Sequence, residues 1–137
     1  MRACAVILFC VCFTGIFGGC IPSKYTVTPQ IQGKVVEAES GRPLESVKIY
    51  FNEFPNKRVL SDKAGNFQLP KVQKTYVLLI FGPVDFAPPH GILVVDVDKY
   101  ETCEVRVEGH SIDEAKGCKA SLSGESLHVE LNKCRGC

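Results

Sequence analysis

Residues 47–51 read Val-Lys-Ile-Tyr-Phe, so Val47, Ile49 and Phe51 alternate with Lys48, Tyr50 and the following Asn52. Successive side chains point to opposite faces only in a strand, so this pattern gives one buried face and one wetted face. The same period of two recurs along the chain. Ile31, Gly33 and Val35 oppose Gln32 and Lys34; Leu93, Val95 and Val97 oppose Asp96; Cys103, Val105 and Val107 oppose Glu104, Arg106 and Glu108. Leu127, Val129 and Leu131 close the series. Turn chemistry separates these runs at Ser40-Gly41-Arg42-Pro43, at Pro55, at Asp62-Lys63-Ala64-Gly65 and in the Pro-rich stretch 82–91. Arg58 to Ser61 reads as a short strand and Asn66 to Leu69 as its return.

Two segments depart from simple alternation. Val77-Leu78-Leu79-Ile80-Phe81 is continuously apolar and predicts a central strand covered on both sides. Ser111 with Glu114 matches a capping box, and Gly117 suits an exit, which predicts one short helical turn. About seven or eight short strands with frequent turns predict an all-β sandwich. Val47, Ile49, Phe51, Phe67, Leu79, Val105 and Val129 are expected in its core.

The first 20 residues have a different character. Arg2 is the only charge before Lys24; an apolar run follows from Ala3 to Phe13, and Gly15, Gly18 and Gly19 lead to Cys20. A positive end, a short apolar core and small residues at a cleavage site make a signal peptide. The segment is marginal for a membrane span, which needs about 20 apolar residues. Its end, Phe17-Gly18-Gly19-Cys20, resembles the lipobox of bacterial lipoproteins, with Phe17 where leucine is usual. The resemblance implies cleavage before Cys20 and lipid on its sulfur. Residues 1–19 are then the signal peptide, 20–30 a lipidated tether containing Pro22 and Pro29, and 31–137 the folded domain.

Two further stretches carry a family resemblance. Gly33-Lys34-Val35 leads to Gly41-Arg42-Pro43-Leu44 before a strand, and Asp62-Lys63-Ala64-Gly65-Asn66-Phe67 follows. Residues 31 to 81 resemble the carboxypeptidase regulatory-like domain, a transthyretin-like, Ig-like Greek-key β-sandwich. The resemblance implies structural support, adhesion or ligand contact, and it supplies no catalytic residues. Glycine at 41 and 65 meets turn conformations that other residues adopt at a cost, and Pro43 fixes the backbone leaving the first turn.

Charge excludes some functions. The chain has 16 Lys and Arg against 15 Asp and Glu, interspersed with no block of one sign, which gives no electrostatic case for nucleic acid. Four cysteines fall in the export segment or at its end, and four in the domain: Cys103, Cys118, Cys134 and Cys137. In an exported domain these four are disulfide candidates. If the strand at 103–107 pairs antiparallel with 127–131, Cys103 lies near Cys134 and leaves Cys118 for Cys137. A Cys134–Cys137 bridge and a buried free Cys103 thiol are the alternatives. Zinc on the four cysteines with His128 has poor spacing. Asp96 with Asp98 reads as solvated surface, and Asp62 with Asn66 as a turn rather than a calcium loop. Transthyretin-like hydroxyisourate hydrolases end in Arg-Gly, like Arg135-Gly136, but their N-terminal histidine has no counterpart near residue 31. The expectation is a noncatalytic protein of the bacterial cell envelope, on the outer membrane facing the periplasm. Its partners are the membrane, through Cys20, and envelope proteins, with no cofactor. The alternative is a small enzyme or metal-binding domain using the C-terminal cysteines and the histidines His90, His110 and His128.

Overall fold

The computed structural model describes residues 21–78 and 88–134. Cys20 and Cys137, the run from Leu79 to Phe81 and the signal segment lie outside them. Among the described residues eleven strands are formed: β1 (Ile21–Thr28), β2 (Ile31–Glu37), β3 (Lys48–Phe51), β4 (Val59–Leu60), β5 (Asn66–Leu69), β6 (Val72–Leu78), β7 (His90–Asp96), β8 (Cys103–Glu108), β9 (Ser111–Lys116), β10 (Cys118–Ser123) and β11 (Ser126–Leu131). A 3-10 turn at Pro55–Lys57 is the helical element among the described residues. No helix there is long and apolar enough to cross a membrane.

Nine strands build a two-sheet sandwich. One sheet has the order β10-β11-β2-β5 and the other β4-β3-β7-β8-β9. The alternating residues meet between them: Ile31, Val35, Phe67, Leu69, Leu127, Val129 and Leu131 from the first sheet face Ile49, Phe51, Leu93, Val95, Val105 and Val107 from the second. Burying a large apolar side chain of this kind contributes roughly 1.5–3 kcal/mol. The core expectations hold for every described residue named, and Leu79 lies outside them. The all-β sandwich stands, with more strands than the seven or eight counted from sequence.

The chain changes sheet after β2, after β4, between β5 and β7, and after β9, and two of these crossings turn on a glycine. At the first, β4 leaves one sheet and β5 enters the other through Asp62–Gly65. Asp62 Oδ1 accepts from the amides of Ala64 and Asn66 at 2.9 and 2.8 Å. Gly65 has φ +78°, and a Cβ there would stand 2.5 Å from the Val35 carbonyl oxygen. At the second, β9 passes into β10 through Gly117, whose φ is +75° and whose Cβ would meet Thr102 O at 2.4 Å. That close approach brings residue 118 beside residue 103.

Four expectations are corrected. Residues 111–116 form strand β9 rather than a helical turn. Ser111 Oγ donates to Glu108 O at 2.9 Å, so the hydroxyl closes the β8–β9 turn rather than capping a helix. The register shift between Arg106 and Val107 marks a bulge that absorbs the residue spoiling the alternation of β9. Residues 21–28, read as tether, are strand β1. The apolar run beginning at Val77 is no central strand where described: β6 pairs with β1 in a two-stranded ribbon. Pro29 and Pro70, which lack an amide donor, lie between this ribbon and strands β2 and β5. Residues 21–25 and 74–78 group apart from the sandwich of 26–73 and 88–134.

The fourth correction is the disulfide. Cys103 is bonded to Cys118, with Cα atoms 5.3 Å apart. The supposed pairing of 103–107 with 127–131 does not exist, because β8 lies between β7 and β9 while β11 lies between β10 and β2. Segment 132–134 instead runs beside 99–101: Glu101 N donates to Asn132 O and Cys134 N to Lys99 O, both at 3.0 Å. Cys134 is itself disulfide-bonded, and the pairing of Cys137 lies outside the described residues.

Candidate binding surface

The outer face of the four-stranded sheet is built by the positions opposite the core. Register sets them in two rows. Ser123, Ser126, Gln32 and Gln68 make one; Ser121, His128, Lys34 and Asn66 make the next. Neighbours within a row are roughly 4.8 Å apart, the strand spacing. Parallel pairing of β2 with β11 is what joins the two halves of each row, although almost a hundred residues separate them in sequence.

Over these rows lies an open trough of about 760 Å³, lined by Gln32, Lys34, Asn66, Gln68, Ser126 and His128 and by Leu60, Asp62 and Phe67 at its margin. Leu60 is 59% exposed, the one large hydrophobic side chain displayed so fully among the described residues. Lys34 supplies the positive charge. His128 Nε2 lies 3.8 Å from Glu130 Oε1. The Asp62 carboxyl is held below the usual carboxylate range, first by the Asn66 amide and also by Ala64 and Lys34. Its oxygens serve the turn and do not form a calcium site. Ser126 and His128 are two residues apart on one strand, so roughly 7 Å separates their positions, too far to form a nucleophile–base pair without rearrangement. Such a surface suits hydrogen bonding to an extended polar ligand.

The other sequence candidates do not converge. His90 is exposed, with Nδ1 3.2 Å from Pro88 O, and borders a separate cleft of about 480 Å³ with Glu53, Arg106, Glu108 and Asp113. His110 is exposed in the β8–β9 turn, and His128 belongs to the trough. Among the described residues no group of three or more His, Cys, Asp or Glu is placed to hold a metal. A four-cysteine zinc site is overturned, since Cys103 and Cys118 are bonded to each other. Asp96 opposes Lys48 across β7 and β3.

One polar cluster escaped sequence reading. Glu37, at the end of β2 and 7% exposed, accepts hydrogen bonds from Ser40 Oγ and from Tyr100 Oη, the latter at 2.9 Å. Those bonds, Ser40 first and Tyr100 next, hold its carboxyl below the usual range. Burial, then the Glu37 carboxylate, pushes the Tyr100 phenol up. Arg42 Nη2 stands 3.7 Å from Glu37 but is 69% exposed, so this ion pair contributes little. The cluster ties the turn after β2 to the loop before β8, a structural task. Sequence offered no signal for it beyond a glutamate continuing an apolar strand.

No protein-family profile and no curated protein sequence matches the chain. Among solved structures it is similar to 3-chlorocatechol 1,2-dioxygenase from Rhodococcus opacus 1CP, at 17% identity and TM-score 0.44, over 77% of this chain and 59% of that one. It is also similar to the pilus adhesin RrgA from Streptococcus pneumoniae, at 7% identity and TM-score 0.36, over 80% of this chain and 16% of the adhesin. The chain thus spans less than two thirds of the length of either protein.

Proposed function

We propose that this chain is a noncatalytic, lipid-anchored protein of the bacterial cell envelope whose β-sandwich binds a ligand or an envelope protein. The observation that carries the reading is the Cys103–Cys118 bridge between the two sheets. Such bonds persist in oxidising compartments, the periplasm among them, and are rare in the cytosol. A bridged domain therefore accords with a leader that reads as an export signal ending at Cys20. Lipid on Cys20 would hold the protein on the outer membrane facing the periplasm. Each buried methylene of an acyl chain adds about 0.8 kcal/mol to that hold, and stable anchoring takes more than one chain or signal.

The likeness to carboxypeptidase regulatory-like domains is supported where its motif residues do physical work. Leu44 and Phe67 are buried, Pro43 bridges to Val36, and Gly65 makes the crossing turn. These are fold-making roles, which accords with a binding or structural module. The polar trough is the surface such a module would offer. The competing enzyme or metal reading loses three of its four sulfurs to disulfides, those of Cys103, Cys118 and Cys134.

Cell fractionation of the Cys20→Ser variant tests the proposal. The variant is expected to leave the membrane fraction or to accumulate with its leader uncut. A variant processed and retained on membranes like the wild type would overturn the anchor.

A further inference from the structure

The rows on the outer face of the four-stranded sheet run across its strands, so their pitch is the strand spacing. Gln32 stands between Ser126 and Gln68, and Lys34 stands between His128 and Asn66. All six are exposed and line the open trough of about 760 Å³. Each can donate a hydrogen bond, and the three amides and the serine hydroxyl can also accept one. Vicinal hydroxyl groups likewise donate and accept, so they match such a floor.

Charge and pitch narrow the ligand. Lys34 acts on the Asp62 carboxyl, and His128 Nε2 lies 3.8 Å from Glu130 Oε1. Each basic side chain of the trough therefore already faces an acid, and a neutral ligand leaves that balance undisturbed. Leu60, 59% exposed at the margin, offers the hydrocarbon contact that the C–H face of a sugar ring takes. Strands lie about 4.8 Å apart, and an extended chain of β-1,4-linked pyranoses repeats at close to that distance. An extended peptide presents a side chain on one face about every 6.6 Å, so it falls out of step with the rows.

We propose that this trough binds a neutral, extended polysaccharide laid across the strands, one sugar per strand, with Gln32, Gln68 and Ser126 as its main hydrogen-bonding row. The inference rests on the ligand-binding reading of the same trough and names the chemical class of the ligand. Each hydrogen bond on an open face replaces one to water and adds little by itself. Affinity therefore accumulates sugar by sugar and levels once the chain spans the four strands of the sheet. The plainer role, polar positions that only wet the outer face of a sheet, predicts no saccharide binding.

The test is calorimetric titration of the full chain, held in a detergent without a sugar headgroup, with cello-oligosaccharides and N-acetylated chito-oligosaccharides of two to six units. The expected result is binding that strengthens up to about four units, one per strand, and changes little with salt. Gln32→Ala/Gln68→Ala/Ser126→Ala should weaken it roughly tenfold or more. Lys48→Ala/Glu104→Ala/Lys116→Ala, at exposed positions on the outer face of the other sheet, should keep it. Absence of saccharide binding by the wild type overturns the inference whatever the variants do. Binding only of a galacturonate hexamer that salt abolishes, tighter binding of an alternating serine–threonine peptide, or equal loss in both triples also overturns it. Release of shorter sugars during the titration would contradict the noncatalytic reading and uphold the ligand class. Silence from every saccharide would leave the anchor and a protein-binding trough standing, so the two failures are distinguishable.

Discussion

Val35 joins the two motif turns. Its amide donates to Gly65 O at 2.9 Å, and its carbonyl accepts from Leu44 N at 3.1 Å. Behind it, Ser61 Oγ donates to Leu44 O at 2.6 Å and accepts from Val47 N at 3.0 Å. Gly65→Ala would place a methyl against the Val35 carbonyl in a left-handed conformation. It should cost more than about 2 kcal/mol, since the backbone term alone is about 1–2 kcal/mol. Urea unfolding measures this, and a loss under about 1 kcal/mol would mean that the turn relaxes. Phe67, 6% exposed, lies across Gly33, so Phe67→Ala should cost about 3–5 kcal/mol in the same assay. Glu37 adds a pH dependence. Its folded pKa is depressed, so its stabilisation is present above the unfolded carboxylate value and is lost as pH falls through the folded value. Tyr100→Phe removes one donor and should move the acid limb of the melting temperature to higher pH. Identical acid limbs in the two proteins would contradict this. Turn and core residues were legible because glycine, proline and alternation act locally. The Glu37–Tyr100 bond was not, because it joins residues far apart in sequence.

Strands with strict alternation were the legible elements: β2, β3, β8 and β11 each show a buried face that their sequence displays. Elements whose state depends on a partner were not. Strand β1 has no apolar period, and its pairing with β6 reaches across more than forty residues. In β9 the Ser-x-x-Glu pattern promised a helix cap locally, but pairing with β8 won. Alternation says that Cys103 points inward, yet not which sheet it belongs to or which sulfur it meets. That bridge closes a separation of 15 residues, so Cys103→Ala/Cys118→Ala should cost about 3 kcal/mol, chiefly by freeing the unfolded chain. Denaturation of the double variant beside the wild type checks it. Non-reducing peptide maps should recover a Cys103–Cys118 peptide, and recovery of Cys103 joined to Cys134 would refute the assigned pairing.

At the scale of the whole molecule, the sandwich displays a polar trough on one outer face. Of the trough's side chains, Gln32 and Lys34 were visible in the sequence as wetted positions. Their assembly into rows was not, because it depends on parallel pairing between β2 and the last strand. The anchor is the claim on which location and function depend, and intact-mass measurement of the protein extracted from membranes tests it directly. The predicted species begins at Cys20 and carries acyl mass that disappears from the Cys20→Ser variant. A mature protein of unmodified mass, or one that retains residues 1–19, would contradict the account.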